Sequence, residues 1–356
     1  MRNREGERIG VLQLINALDG EGRVCAFAQD MALVVESVAS QAAITIQNVR
    51  YIEEIKDLIQ SFVRVMSAAI DERTPYNASH ARHMADCGDR LVDYLGTCEG
   101  QKKFSAEEKE EFLMSILLHD IGKLVTPLEV MNKAKRLLPG QQTAFLHRME
   151  VIRLRTEIEH LSGRITLEEK EARLCRVQDA QRLVEEINSA GFVKDEMLEA
   201  LDRVKEETYV GEDGKSHPWI EPEEYAMLSI RKGTLSKEER KTMEEHVSVT
   251  DRLLSQIHFS GNLSHVREWA AAHHEFLNGT GYPRHRTKEE IPFEVRIITI
   301  LDIFDSLVAD DRPYKRAMPV ERALSILTVM AEQEGKLDPE LTRLFVESRC
   351  WDSSPL

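Results

Sequence analysis

At 356 residues, 42% of them hydrophobic, the chain is long enough for about two domains with packed cores. A net charge of −15 and a pI near 5.4 exclude the basic face that a nucleic-acid polymer needs, while a few local cations still suffice for small anions. The five cysteines form no Cys-x-x-Cys pair, no signal peptide opens the chain and no apolar run reaches the ~20 residues of a membrane span, so the expectation is a reduced, cytoplasmic protein without zinc knuckle or disulfide framework.

Residues 7–16, ERIGVLQLIN, read as a strand closed by the turn cluster ALDGEG. From Asp30 onward Met31, Val34, Val35, Val38, Ala42, Ile46 and Val49 recur at helical spacing, and the run continues through Ile52, Ile55 and Ile59. One strand and one long helix cannot bury themselves, so the opening reads as the end of a domain that begins elsewhere. Residues 61–138 read as helices, with a break at Pro75 and a restart capped by Asn77 or Ser79. The next helix, SAEEKEEFLMSILLHDIGK, starts on a Ser105–Glu108 capping box, buries Phe112, Leu113, Ile116 and Leu117, and is expected to end at Gly122.

Residues 139–228 change texture and are dense in Glu, Arg and Lys. Val151, Leu154, Ile158 and Leu161 share one helical face; after SGR, so do Leu167, Leu174, Val177, Ala180, Val184 and Ile187. The pattern predicts a helical hairpin turned at SGR, a third helix near 194–207, and a loop over YVGEDGKSHPWIEPEE. His147, His160 and His217 read as solvated. From 236 the helical texture of the first part returns. A Ser236–Glu239 capping box leads into KTMEEHVSVTDRLLSQI, and REWAAAHHE and PFEVRIITILDIFDSLVADDRPYKRAMP follow. The last helices are VERALSILTVMAEQEG and DPELTRLFVES, the latter capped by Asp338 with Pro339 in its first position.

The chemistry concentrates in HHEFLNGTGYP, residues 273–283. On a helix His273 and His274 point about 100° apart, so they do not chelate one ion in the i, i+4 manner; they suit two adjacent ions, or one ion and its substrate. The competing reading is a helix end with two exposed histidines. Matching candidates lie on other helices: His80, His119 with Asp120, His246, and Asp302 in an apolar run where an unpaired carboxylate is costly. A set of imidazoles and carboxylates without thiolate favours iron or manganese over structural zinc. Adjacent His-Asp and His-His pairs suit two ions roughly 3.5–4 Å apart that activate a water and clamp a phosphoryl oxygen.

Two resemblances follow from these residues. The stretch IGVLQLIN…F…VASQAAITIQNVRYIEEI resembles the C-terminal half of a GAF sensor domain with its outgoing signalling helix. DERTPYNASH, LLHDIGK, KGTLSKEERKTMEEH, HHEFLNGTGYP and RIITILDIFDSLVADDRPYKRAM, in that order, resemble an HD-GYP domain, the branch of the HD phosphohydrolases that hydrolyses cyclic dinucleotides, usually cyclic di-GMP. The resemblance implies a mainly α architecture: an all-helical HD-type metal-dependent phosphohydrolase bundle with a short α/β GAF remnant at the N-terminus. The boundaries it implies are a partial GAF domain at 1–48, a linking helix at 49–60, and an HD-GYP domain at 61–349 carrying the helical insertion 139–228.

Carried over by position, the resemblance implies metal ligands at His80, His119, Asp120, His246, His273, His274 and Asp302, with Asp120 bridging two divalent ions. Lys123 then approaches a phosphate or the leaving group, Tyr282 contacts the nucleotide, and Arg312 and Lys315 hold phosphates. Gly279 and Gly281 are expected to let the backbone approach the ligand closely. The chain departs from the family pattern at Asn278 (usually Asp), His83 (usually Arg), and Val247 and Thr250 (usually Pro and Gly). Tyr76 stands where members with a third metal carry Glu, which favours two ions. The insertion of about 90 residues is the largest departure, and it packs on the core, mates subunits or is a surface excursion that catalysis ignores. The implied reaction is hydrolysis of cyclic di-GMP to linear dinucleotide or GMP. Its rivals are another cyclic dinucleotide such as cyclic GMP-AMP, and a non-catalytic module that binds a dinucleotide or a partner such as a diguanylate cyclase. The first long helix is expected to form a homodimer.

Overall fold

The computed structural model describes residues 1, 6–73, 79–309 and 318–352. The chain divides into two compact units, 1–65 and 66–356. In the first, β1 (Ala17–Leu18) and β2 (Val24–Cys25) form a minimal antiparallel hairpin. Asp19 closes its turn by accepting from the amides of Glu21 and Arg23, 2.9 Å each. The strand expected over 7–16 does not form. Val11 and Ile15 are 91% and 71% exposed, and a run with neither a paired edge nor a covered face has nothing to hold it extended. The expected long helix is α1 (Met31–Asp71), which runs unbroken through 49–60 and leaves Val34, Val38, Val49, Ile52, Ile55, Ile59 and Phe62 exposed.

The second unit is helical. Its first helices are α2 (His80–Thr97), α3 (Ala106–Leu118), a 3-10 turn at Ile121–Val125 and the short α4 (Leu128–Met131). Next come α5 (Pro139–Leu161), α6 (Leu167–Ser189), α7 (Asp195–Lys205) and α8 (Pro222–Leu228). The chain then runs through α9 (Lys237–Leu254), α10 (Val266–Ala270), α11 (Phe293–Val308), α12 (Val320–Glu332) and α13 (Pro339–Ser348). Capping boxes open α3 at Ser105–Glu108 and α9 at Ser236–Glu239. Asp338 caps α13 by accepting from the Glu340 and Leu341 amides. Ser79 precedes α2 but makes no side-chain cap bond, and Pro75 and Asn77 lie outside the described residues.

Two separate cores hold this unit. The main one joins α2, α3, α11, α12 and α13 through residues such as Leu91, Phe112, Ile116, Ile298 and Phe345. Leu113 and Leu117, expected inside, are only half-buried. The helix also stops at Leu118, four residues before Gly122. Gly122 has another duty: a Cβ there would lie 1.9 Å from the His246 carbonyl oxygen, so only glycine lets the turn after α3 touch the α9 backbone.

The second core belongs to the insertion, which packs on itself. Phe145, Met149 and Ile152 of α5 meet Val177, Ala180, Val184 and Ile187 of α6, with Leu201, Trp219 and Leu228 closing the cluster. The face predicted on α6 is therefore buried. The one predicted on α5 is not: Val151, Leu154, Ile158 and Leu161 are 42–82% exposed, because Phe145, Met149, Ile152 and Thr156 one step round the helix face α6. The segment expected as loop carries an antiparallel hairpin, β3 (Thr208–Val210) with β4 (Ser216–Pro218). Its strands are three residues long, too short for alternation to announce them. No described helix is long and apolar enough to cross a membrane.

Candidate metal centre

Five segments of the second unit deliver the seven candidates to one place. His80 is the first residue of α2, His119 and Asp120 follow the end of α3, His246 sits within α9, and Asp302 lies on α11. His273 and His274 stand not on a helix but in the turn after α10, where successive side chains are not held to the helical 100°. Their ring centroids are 4.1 Å apart.

The ligand atoms converge in three overlapping clusters: His246 with His273 and His274; His80 with His119 and Asp302; and His119 with Asp120 and His273. Within each, all ligand atoms lie within 4.8 Å of one another. Asp120 is central. Its Oδ2 is 3.2 Å from His119 Nε2 and 3.9 Å from His80 Nε2, and its Oδ1 is 3.4 Å from His246 Nε2 and 3.9 Å from His273 Nε2. Asp302 faces the other side, 3.2 Å from His80 Nε2 and 3.5 Å from His274 Nδ1.

The backbone sets the tautomers. Nδ1 of His119, His246 and His273 each lies 2.6–2.7 Å from the carbonyl oxygen three residues earlier: Ile116, Met243 and Ala270. A carbonyl only accepts, so Nδ1 carries the proton and Nε2 presents a lone pair inward. Those three Nε2 atoms and Asp120 Oδ1 are buried without a hydrogen-bond partner, while His80 Nε2 faces Asp302. Buried polar atoms are seldom left so, and four lone pairs aimed at one volume are what a divalent ion requires. The residues therefore fit a metal.

Electrostatics prepares the same state. Burial holds the rings of His246 and His273 below the ordinary imidazole value, and takes His274 down to about 4, so all three are neutral ligands at pH 7. For His80 burial acts in the same sense, but hydrogen bonds to Asp302 and Asp305 overcome it and raise the ring to about 10. Burial pushes Asp120 up, yet neighbouring His119 and Lys123 hold it well below the usual carboxylate range; His80 and His274 do the same for Asp302.

Several supporting residues escape a reading for ligands alone. Asp305 Oδ2 accepts from His80 Nδ1 at 2.6 Å and so aims its Nε2. Its signal was its place three residues after Asp302 on the same helix face. His83, usually Arg in the family, is exposed with Nδ1 3.8 Å from Asp305. Thr250, in place of the usual Gly, is fully buried; its hydroxyl accepts from the Gly122 amide and donates to the His119 carbonyl, 3.0 Å each. It rivets the turn carrying Asp120 to α9. Arg73 grips the same turn, donating to the Lys123 and Thr126 carbonyls. Lys123 itself lies 2.5 Å from Asp120 Oδ2.

The Gly-Tyr-Pro loop folds back on the histidine pair. A Cβ on Gly281 would meet the Phe276 amide nitrogen at 2.3 Å and the His274 oxygen at 2.5 Å, so its close approach is to its own chain. The buried Glu275 accepts from the amides of Arg284 and Arg286 at 2.7 and 2.9 Å and clasps the loop. Tyr282 donates its amide to the His274 oxygen, and its ring lies 4.8 Å from that imidazole. Asn278 uses both ends of its amide: Oδ1 accepts from Thr280, and Nδ2 donates to the Glu334 carbonyl at 2.8 Å, which an aspartate could not do. Arg312 and Lys315 lie outside the described residues, as does Tyr76. His160 and His217 have local partners, the Ile165 carbonyl and Asp213, far from the ligands in sequence.

Residues 220–341 match the family model described as HD domain, about a third of the chain, and this identifies the stretch as an HD domain. It contains His246, His273, His274 and Asp302 and leaves His80, His119 and Asp120 outside. The 3'3'-cGAMP-specific phosphodiesterase 3 of Vibrio cholerae is 41% identical over 108 residues, covering 30% of this chain and 22% of the relative. The cyclic di-GMP phosphodiesterase of Thermotoga maritima is 35% identical over 121 residues, 34% of this chain and 32% of the relative. The chain thus spans at most about a third of the length of these relatives. Among solved structures, Bd1817, a HDGYP protein from Bdellovibrio bacteriovorus, aligns at a TM-score of 0.39 and 13% identity over 82% of this chain and 58% of that one.

Proposed function

We propose that this chain is a metal-dependent phosphodiesterase that opens a cyclic dinucleotide, with cyclic di-GMP as the first substrate to test. The convergence of four unpartnered lone pairs among His and Asp side chains on one buried volume carries the reading. Two divalent ions, iron or manganese by the ligand set, supply Lewis acidity for a water and a phosphoryl oxygen when bound. His80, His119, Asp120, His246, His273, His274 and Asp302 would hold them, with Asp120, central among the ligands, able to offer an oxygen to each. Lys123, on Asp120 Oδ2, is placed to release that oxygen and take a phosphate oxygen or protonate the leaving group. Tyr282 offers its ring and hydroxyl to the nucleotide beside His274, while Arg312 and Lys315 hold phosphates.

A second reading keeps the chemistry and changes the base: the relative with 41% identity is named for 3'3'-cGAMP. Metal ligands do not read a base, so only an assay separates the two. The organisation we propose is a partial GAF domain at 1–48, a linking helix at 49–60 and an HD-GYP domain at 61–349 with its insertion at 139–228, in a cytoplasmic protein. The exposed apolar residues of α1 support a homodimer through that helix, and a diguanylate cyclase domain is a candidate partner.

The test is hydrolysis of cyclic di-GMP and 3'3'-cGAMP by protein purified without oxygen, analysed for metal and then loaded with iron or manganese. Turnover of either nucleotide, lost on chelation, supports the proposal. Binding without turnover in the fully loaded protein would leave only a non-catalytic module. Arg312→Ala should weaken substrate binding more than Arg312→Lys while metal content stays intact.

A further inference from the structure

Cys87 and Cys350 are 263 residues apart in the chain, and their sulfurs lie 2.8 Å apart. Both are free thiols and both are buried. A disulfide holds its sulfurs at about 2.03–2.05 Å, so the bond needs the pair to close by only part of an ångström. Neighbouring groups hold the two in place. Arg90, three residues after Cys87 on α2, donates Nε to the Cys350 carbonyl at 2.6 Å, and the Cys350 amide donates to Ser348 Oγ at 3.3 Å. Beyond them Trp351 packs on Phe304 and Phe345, with ring centroids 5.3 and 5.0 Å away. The turn after α13 is thus already docked against α2 and α11 without a covalent tie.

The two thiols are unequal. Burial works against a Cys350 thiolate, but contacts to Cys87 and Ser348 and the charge of Arg90 outweigh it and bring its pKa below the ordinary thiol value. The contact with Cys350, together with burial, pushes Cys87 up. Arg90, held on the Cys350 carbonyl, favours a thiolate at Cys350, which is the nucleophile with Cys87 2.8 Å away to resolve it.

We propose that Cys87 and Cys350 form a reversible disulfide, with a peroxide as the oxidant, that ties the C-terminal turn to α2. The Cys350 thiolate attacks a peroxide oxygen; the O–O bond breaks, one oxygen leaves as water and Cys350 becomes a sulfenic acid. Cys87 then attacks the Cys350 sulfur and expels the second oxygen as water. Two S–H bonds are lost and one S–S bond is gained. The peroxide takes up the two electrons and two protons. A thiol reductant reverses the bond. The helix so tied opens with His80, two turns before Cys87 and on the same face. The pair's chemistry does not depend on which phosphodiester the metal centre cleaves.

The experiment treats the reduced full-length chain with stoichiometric hydrogen peroxide, alkylates remaining thiols after denaturation and maps the peptides by mass. The expected product has lost two hydrogens and links the Cys87 and Cys350 peptides, while Cys25, Cys98 and Cys175 remain alkylated. It should melt at a higher temperature than the reduced protein, because the link closes a long loop, and dithiothreitol should restore both the mass and the melting point. In Cys350→Ser the link and the melting shift should both vanish while Cys87 stays available to alkylation. Mapping on the unaltered chain decides the matter even if that variant does not fold. Full alkylation of Cys87 and Cys350 after peroxide would overturn the proposal. So would a link to any other cysteine, or a linked product that melts no higher.

Discussion

The main helical core and the insertion are built by the same rules and end with opposite polar interiors. Both use capping boxes and amphipathic helices, and each buries its own apolar cluster. Both also leave buried polar atoms without partners. In and beside the insertion these are three N–H donors, Arg136 Nη2, Asn188 Nδ2 and Trp219 Nε1, and one isolated acceptor, Asn132 Oδ1. At the centre of the core they are imidazole Nε2 atoms and a carboxylate oxygen, which are lone pairs. Orphan donors scattered under a surface cannot hold a cation, whereas lone pairs aimed at one volume can. The identity of the unsatisfied atom, and not the mere presence of one, separates a functional centre from a packing imperfection.

Removing the central carboxylate should have the largest effect. Asp120→Ala takes away oxygens that lie 3.2–3.9 Å from four histidine side chains, so turnover should disappear and most bound metal with it, as read by metal analysis of the folded variant. Unchanged metal content would end the assignment. On the other side of the comparison, Phe145→Ala should cost about 3–5 kcal/mol and loosen α5–α8, because it empties the insertion's own core. Hydrogen exchange should rise there alone; metal loss in that variant would show that the two cores are one.

Asp305→Asn probes support without touching a ligand candidate. It weakens the acceptor that aims His80, and about a 10–100-fold fall in metal affinity or activity is expected, measured by competition with a chelator. Metal uptake should also move protons. His80 in the metal-free protein is raised to about 10, so the stabilisation from its pairing with Asp302 and Asp305 is full below about 6.5, the ordinary value, and is lost as pH rises through about 10. A metal at pH 7 must displace that proton, whereas His246, His273 and His274 have none to give up at their ligating nitrogen. Calorimetry in buffers of different ionisation enthalpy should therefore show release of about one proton, with affinity that rises with pH. Buffer-independent heats would contradict this. The smallest effect belongs to Asn278→Asp, which restores the residue usual in the family. It should destabilise the Gly-Tyr-Pro loop by about 1 kcal/mol, since the new carboxylate cannot donate to the Glu334 carbonyl and faces it instead. A thermal midpoint at or above that of the unaltered chain would show that the contact contributes nothing.

Much of the molecule is legible in its sequence, and the parts that are not share a cause. Helices with strong caps and long periodic faces, such as α3, α9 and α13, stand where Ser105, Ser236 and Asp338 announce them, because capping and amphipathic spacing act within a few residues. The candidates that cluster were legible for a similar reason: His and Asp in apolar surroundings are costly without a common partner, so each advertises itself. Periodicity could not choose the face of α5, since Val151, Leu154 and Ile158 form as good a stripe as Phe145, Met149 and Ile152, and only packing against α6 settled which is buried. A strand over 7–16 required a partner the sequence does not encode locally. Asp305, Thr250 and Glu275 became intelligible only when α11 came against α2, α9 against the turn after α3, and the Gly-Tyr-Pro loop against the histidine pair. A sequence determines what a residue can donate or accept within its own helix turn. The fold determines which distant group stands within hydrogen-bond reach of it, because that choice is made by long-range packing and not by neighbours in the chain.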